Sequence, residues 1–241
     1  MYIYLIILAI IFTFLLSHYL NYTKINASGG IDIQQTEQPA PAVIDKMLAT
    51  KLPSIFMYEI ELWDGFDLLI GYPYDAISTV FKDNKELVKI LKSEYLAPFA
   101  LPLTRDWQVG LNNLTASWAT LTDKPIREKH YNHLIANFSG LLMVCLIHPN
   151  STRQIDTYNI ASTPFPKHLE AQTQNITTDT PTSTPTPDEK TNDALTINYL
   201  TIPVRPGHVM YIPYGWYYYI YCGQENTGCV YMDLVNKTWF S

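Results

Sequence analysis

The chain alternates between long apolar runs and polar stretches, and this pattern divides it into segments. The first run, residues 2–20, holds no charged side chain if its one histidine is neutral. As a helix with a rise of ~1.5 Å per residue it would be about 28 Å long, close to the ~30 Å hydrocarbon thickness of a bilayer. The pattern predicts a single-pass membrane anchor. A cleaved signal peptide and a buried helix are the alternatives, and no A-x-A-like cleavage site is clear.

Two polar stretches lie outside the predicted core. Residues 21–41 carry a Gly pair and a Gln/Pro run, a composition typical of a flexible tether. Residues 162–193 are rich in Thr and Pro and poor in large apolar side chains, so burial there does not offset the entropy lost on ordering. We expect an anchor over residues 1–20, the tether, and one domain over residues 42–241 with a disordered insertion at about 162–193.

Within the domain the pattern predicts mainly strands, with a few flanking helices. A short helix is expected at residues 42–51, and apolar side chains at helical spacing predict an amphipathic helix at 77–95. The runs with strand composition are 54–63, 67–71, 132–138, 141–147, 195–204 and 228–235, and the stretch 204–222 adds a turn and two strands. Gly140 favours a tight hairpin between the runs 132–138 and 141–147, because glycine adopts turn conformations without steric cost.

One aromatic stretch, VRPGHVMYIPYGWYYYIYC at residues 204–222, has a Pro-Gly turn followed by two apolar runs. It is expected to form a turn and two strands folded on each other. On the second strand, alternation places Trp216, Tyr218 and Ile220 on one face, while the tyrosines between them lie on the other. Both faces are expected to pack as core, and an exposed aromatic binding surface is the alternative.

The composition of the chain limits the classes of binding partner that we expect. The formal net charge is −6 and Lys and Arg do not cluster, whereas nucleic-acid binding needs a concentrated basic surface. We therefore expect no nucleic-acid partner. The predicted partners are the membrane and, at the domain surface, a protein or a glycan.

The three cysteines form no spacing typical of a zinc site. Cys222 and Cys229 bracket a six-residue loop between the last two predicted strands. In an oxidising compartment they are a candidate hairpin-closing disulfide contributing about 2–3 kcal/mol, and in a reducing compartment they are two thiols. Cys145 is expected to be a buried small hydrophobe.

Asn-x-Ser/Thr sequons suit a domain on the luminal or extracytoplasmic side, although a chain rich in Asn and Thr also makes them by chance. The candidate glycosylation sites are Asn113, Asn150, Asn175 and Asn236, and further sequons begin at Asn21, Asn26 and Asn137. Lys24 is the only base near either end of the anchor, so its orientation is not determined.

Two blocks carry a family resemblance. HYNHLIANFSGLLMVCLIHP and VRPGHVMYIPYGWYYYI resemble the core blocks of the JmjC-like, or cupin-like, oxygenases, and the similarity covers about half of the chain, residues 107–235. The resemblance implies a double-stranded β-helix, in which two sheets form a barrel around the site. It also implies an iron held by two His and one carboxylate, with open positions for 2-oxoglutarate and oxygen.

This chain departs from the family at the metal positions. A three-residue shift places His130 and Asn132 on the family's His-x-Asp pair, and counting without gaps places Arg127 and Lys129 there. Neither choice supplies a carboxylate. Tyr218 stands at the third ligand position, and Leu142 replaces the Lys that commonly pairs with the cosubstrate. The resemblance therefore implies a degenerate site, and no cofactor is expected.

The remaining metal candidates are weak. They are His130, His133 and His208. The first two are three residues apart, which on a strand puts their side chains on opposite faces, and the third occupies a turn position that is structural in the family. Turn or surface histidines are the simpler interpretation.

The sequence thus favours a membrane-anchored, non-catalytic cupin-like pseudoenzyme that acts as a binding or structural module. One alternative is a Fe(II)/2-oxoglutarate-dependent oxygenase, using His130 and a second His at an atypical metal site. Another is a structural membrane component of a large virus particle, which is suggested only by the richness in Tyr, Asn and Ile.

Overall fold

A computed structural model describes residues 2–26, 30–37, 39–58, 89, 96–99, 101, 103–114, 125–151, 155, 197–223 and 229–239. The α-helices in these ranges are α1 (Tyr2–Thr23) and α2 (Pro41–Thr50). The strands are β1 (Gln34–Glu37), β2 (Ser54–Met57), β3 (Thr104–Leu114), β4 (Ile126–Arg127), β5 (His133–Ser139), β6 (Leu142–Ile147), β7 (Tyr199–Val204), β8 (His208–Ile212), β9 (Tyr217–Cys222) and β10 (Cys229–Thr238). The mainly β prediction is confirmed. The predicted strand at 67–71, the insertion at 162–193 and, apart from Lys89, the helix at 77–95 lie outside the described residues.

The strands form two sheets. Sheet A has the order β1-β2-β8-β5-β10-β3, and sheet B has the order β4-β9-β6-β7. All pairs are antiparallel except β1 with β2.

The pairing of the last eight strands is nested. β3 pairs with β10, β4 with β9, β5 with β8, and β6 with β7, and these pairs alternate between sheets A and B. Apart from β6 and β7, which pair within sheet B, these strands therefore lie in the opposite sheet from their neighbours in the sequence and face them across the interior.

This topology corrects the two predicted hairpins. β5 and β6 do not pair, because the turn at Gly140 (φ 76°) carries the chain from sheet A to sheet B. Likewise β8 and β9 are joined through Gly215 (φ 85°) and lie in different sheets. Glycine is required at both positions because φ is positive.

Alternation along the strands creates apolar layers on both sides of each sheet. The layer between the sheets includes Ile135, Val144, Trp216, Tyr218 and Ile220, which confirms the predicted inward face of β9. The outer face of sheet A packs against α2 and Phe99. The outer face of sheet B, including Tyr217 and Tyr219, packs against Ile155 and Ile197, so these two tyrosines are core rather than an exposed surface.

The predicted tether is partly wrong. Residues 34–37 form β1, which extends sheet A beside β2, and Ile31 and Ile33 pack against the layer between the sheets. The side chain of Asn26 donates a hydrogen bond to the carbonyl of Thr50 at 3.0 Å. Apolar Ile residues between the polar ones give this segment enough buried surface to join the domain.

The sandwich has two distinct ends. The α1 end, where the helix meets the domain, contains the β8–β9 turn (213–216), the β4–β5 connection (128–132) and the last residues of β10. The disulfide end contains the turns at 139–141 and 205–207 and the disulfide between Cys222 and Cys229, whose Cα atoms are 6.0 Å apart. Because β9 and β10 belong to different sheets, this bond links the sheets and does not close a hairpin.

Helix α1 contains one span, Tyr2–Asn21, that is long and apolar enough to cross a membrane. None of this span is buried inside the domain. A buried core helix is therefore wrong for this segment, and the anchor and the signal sequence both fit its composition.

Candidate functional site

Three ionisable side chains meet between the sheets near the α1 end, and we call them the carboxylate–histidine cluster. The imidazole of His133 lies between two carboxylates: Nδ1 forms an ion pair with Oε2 of Glu128, and Nε2 hydrogen-bonds to Oδ1 of Asp233. The side chains of His133 and Glu128 are each 2% exposed, whereas that of Asp233 is 36% exposed. Within the cluster, the contact with solvent is therefore made mainly by Asp233 on β10.

The fold fixes each member of the cluster separately. His133 begins β5, and Asp233 lies in β10 opposite Ile135, so both side chains point between the sheets. Glu128 continues the β4 pairing along β9, because its N–H donates to the carbonyl of Trp216 at 2.7 Å and its carbonyl accepts from Gly215 at 3.0 Å. The cluster consequently joins the β5–β10 pair of sheet A to the β4 edge of sheet B.

The two carboxylates keep His133 protonated. Burial lowers the pKa of His133, but the charges of Glu128 and Asp233 and their hydrogen bonds outweigh this effect and raise it to about 10. At neutral pH the cluster is an imidazolium between two carboxylates. Both ring nitrogens of His133 are then occupied.

Tyr218 packs against this imidazole. The two rings are 5.1 Å apart at 64°, an edge-to-face arrangement. Burial raises the pKa of the Tyr218 hydroxyl well above its ordinary value, and the nearby charges of Asp233 and Glu128 add to the shift. The phenol therefore stays neutral and fills space where the resemblance implies a third metal ligand.

His130 lies beside the cluster without joining the ion pair. Its backbone N–H donates to Oε1 of Glu128 at 2.5 Å. Burial lowers the pKa of His130, as do His133 and Lys237, while Glu128 and Asp233 act in the opposite direction. Its imidazole is therefore neutral, and Nδ1 has no hydrogen-bond partner in the described part of the chain.

The other predicted site residues lie elsewhere. Asn132 is buried on the outer side of sheet A, where its side chain donates to the carbonyl of Phe99 at 2.6 Å, so the predicted His130/Asn132 pair does not face Tyr218. Leu142 is fully buried between the sheets at the disulfide end, beside Val204. Only His130 and Tyr218 of the four degenerate positions lie at the cluster.

The three histidine candidates do not converge. His208 is half-buried at the start of β8, at the disulfide end, where burial and then Arg205 lower its pKa. In the described ranges, no three His, Cys, Asp or Glu side chains are placed to hold one metal ion. The geometry explains this result, since the imidazole of His133 separates the two carboxylates.

Sequence reasoning missed Glu128 and Asp233. Asp233 is the one charged residue in the apolar run 229–235 of β10, and its side chain points to the same side of the strand as that of Tyr231, between the sheets. Glu128 lies between Arg127 and Lys129, the residues that a gapless count placed on the metal positions. The available signal was a single acidic residue whose side chain points into the interior from an otherwise apolar strand.

The sequons differ in accessibility. Asn236 is fully buried and donates to the hydroxyl of Thr104 at 3.1 Å, so it does not carry a glycan in this fold, contrary to the prediction. Asn137 is also buried, with its side chain bonded to the carbonyls of Gly140 and Val204. Asn150 is exposed. Asn175 and the side chain of Asn113 lie outside the described part.

No protein-family model matches this chain, and no curated protein sequence is significantly similar to it.

Proposed function

We propose that this chain is a membrane-anchored, non-catalytic domain of the cupin-like (JmjC-like) type, acting as a binding or structural module. The observation that carries the proposal is the position of His133. It lies in the interior where the resemblance places the metal, but both of its nitrogens bind carboxylates.

The strand order supports this architecture. Eight strands pair in nested fashion and alternate between two sheets, which is the arrangement expected of a jelly-roll or double-stranded β-helix. β1 and β2 then extend one sheet beyond that unit.

The chemistry of the cluster supports the loss of activity. An oxygenase site needs two imidazoles and a carboxylate aimed at one ion, with open positions for cosubstrate and oxygen. Here Glu128 and Asp233 lie on opposite sides of the His133 ring, and Tyr218 packs edge-on against it. These residues do not fit an iron site, and no step through iron follows from them.

The ion pair offers a structural role instead. It connects β4 to β5 and β10 across the interior, at the end opposite the disulfide, so the two sheets are linked at both ends. A domain held rigid in this way suits the presentation of a binding surface beside a membrane.

The anchor and the compartment belong to the same proposal. The exposed apolar span of α1 supports a retained anchor, and the disulfide with the exposed sequon at Asn150 supports an extracytoplasmic domain. Retention of the full chain in membranes after alkaline carbonate extraction tests the anchor by itself.

Metal binding and turnover test the site. Full-length protein purified in detergent is titrated with Fe(II) under anaerobic conditions and assayed for decarboxylation of 2-oxoglutarate. We expect neither stoichiometric binding nor turnover above the background of the His133→Leu variant. One equivalent of tightly bound iron with His133-dependent decarboxylation would contradict the proposal.

One observation favours a second candidate, the oxygenase with an atypical site. The neutral imidazole of His130 lies in the field of Glu128 and Asp233, and its Nδ1 lacks a hydrogen bond within the described ranges. Loss of metal binding in His130→Ala, with His208→Ala unchanged as the control, would favour that candidate.

A further inference from the structure

We propose that the α1 end of the sandwich docks on an anionic lipid surface, that of the membrane which α1 enters. This inference rests on the proposed anchor. It adds an orientation for the domain and a chemistry for the surface that meets the headgroups.

The first argument is the short connection between helix and domain. α1 ends at Thr23, and Ile25 already packs on Gly215, where an added Cβ would lie 2.7 Å from Cδ1 of Ile25. The hydrogen bond from Asn26 to Thr50 follows immediately. Since two or three residues span only about 10 Å, the α1 end is held close to the membrane surface.

The hydroxyl of Tyr19, in the last turns of the helix, lies near Tyr131 of the domain. Burial raises the pKa of Tyr131, and the nearby hydroxyls of Tyr19 and Tyr214 raise it further. The rings of Tyr131 and Tyr214 are 6.5 Å apart. Because Tyr19 lies near the end of the apolar span, this aromatic group lies at headgroup depth, the level that Tyr and Trp prefer.

The second argument is charge. In the described part of the chain, five exposed basic side chains lie at the α1 end: Lys24, Arg105, Arg127, Lys129 and Lys237. Among the residues that the structure describes, the acidic ones at this end are Asp32 and Asp106, which are exposed, and Glu128 and Asp233, which pair with His133. A basic excess at one end of a chain whose net charge is −6 matches an anionic surface.

The third argument is an exposed aromatic side chain at the same end. Trp239 follows β10, is 70% exposed, and lies with its ring centroid 5.9 Å from the guanidinium of Arg105. An indole beside a guanidinium is well suited to the membrane interface, where the ring enters the headgroup layer and the cation contacts phosphate.

Site-specific quenching tests the orientation. The full chain is reconstituted into phosphatidylcholine vesicles with or without phosphatidylserine, all containing a lipid with a nitroxide on its headgroup. A fluorescent label is attached at Trp239→Cys, at Lys129→Cys, which keeps Trp239, or at Arg205→Cys at the disulfide end. Native thiols do not compete, because Cys145 is buried with its pKa raised to about 12, and the other two cysteines form the disulfide.

We expect strong quenching at positions 239 and 129 and weak quenching at 205. The quenching at 129 should increase with phosphatidylserine and decrease at high salt. In that labelled background, Arg105→Glu and Lys237→Glu should each weaken docking by at least about fivefold, since each replaces a cation that faces the anionic lipid with an anion. The same charge change at Arg205→Glu should have no effect.

Equal quenching at the two ends, with no response to phosphatidylserine, would overturn the docking proposal while leaving the anchor intact. Failure of the chain to float with the vesicles would overturn the anchor itself and the docking with it.

Discussion

Nε2 of His133 hydrogen-bonds to Oδ1 of Asp233, although the two residues are 100 positions apart in the sequence. The bond forms because β5 and β10 are neighbours in sheet A. With Glu128 on the other side of the ring, the imidazolium connects both sheets inside the domain. The stability of the fold should therefore depend on this one side chain.

Removal of the His133 imidazole should destabilise the domain. His133→Leu leaves two carboxylates close together in a mostly buried site, and we expect the free energy of unfolding to fall by about 3–5 kcal/mol, the usual cost of removing one partner from a buried ion pair. Urea unfolding followed by near-UV circular dichroism measures the change.

Two further variants control that result. His208→Leu replaces a half-buried histidine outside the cluster and should cost less than about 1 kcal/mol. Glu128→Leu combined with His133→Leu removes one of the uncompensated charges and should recover part of the loss. If the double variant were instead much less stable than His133→Leu, as expected for the loss of two independent buried residues, this result would count against the ion pair.

Stability should fall in alkaline solution. The pKa of His133 is raised to about 10 in the fold, against about 6.5 in an unfolded chain. The contribution of His133 is therefore complete below pH ~6.5 and is lost as the pH rises through ~10, at a rate of about 1.4 kcal/mol per pH unit within that window. The free energy of unfolding, measured from pH 6 to 10, should fall more steeply for the wild type than for His133→Gln. Parallel curves would contradict the assignment.

Adding one methyl group at Gly215 should weaken the contact between the segment after α1 and the domain. Gly215 has φ 85°, and its missing Cβ leaves space for Ile25. Gly215→Ala should destabilise the domain by about 1–3 kcal/mol, because the backbone is strained and the methyl group displaces Ile25.

A double-mutant cycle separates these two causes. Ile25→Ala should relieve the steric part of the Gly215→Ala penalty and leave the backbone part. Full additivity of the two substitutions in thermal unfolding would show that Ile25 does not pack at this turn.

The disulfide should stabilise the end of the domain opposite the carboxylate–histidine cluster. Cys222 and Cys229 are 7 residues apart, so opening the loop should cost about 2–3 kcal/mol. Cys222→Ser with Cys229→Ser should lower the melting temperature by several degrees, and dithiothreitol should lower that of the wild type but not that of the variant. An unchanged melting temperature in reductant would mean that the bond does not form.

Local features of the fold followed from the sequence. Alternation in β9 correctly predicted that Trp216, Tyr218 and Ile220 point between the sheets. The helix expected at 42–51 corresponds to α2 (Pro41–Thr50).

Strand pairing and side-chain contacts between segments far apart in the chain could not be predicted from the sequence. Gly140 and Gly215 turn the chain equally well toward a paired strand or toward the opposite sheet, so two hairpins were predicted where none forms. The cluster depends on strand neighbours 100 positions apart, and no local pattern shows that Asp233 will meet His133. For the same reason the prediction emphasised Asn132, whose side chain in fact bonds to Phe99 on the other face of sheet A.

The protonation state of His133 tests the central claim most directly. In full-length protein with labelled histidine, the imidazole nitrogen resonances are recorded at pH 8, before and after addition of one equivalent of Zn(II) as a redox-inert probe. The account predicts that both nitrogens of His133 carry protons and that neither resonance moves with metal. A neutral ring with one unprotonated nitrogen that shifts stoichiometrically with the metal would contradict it.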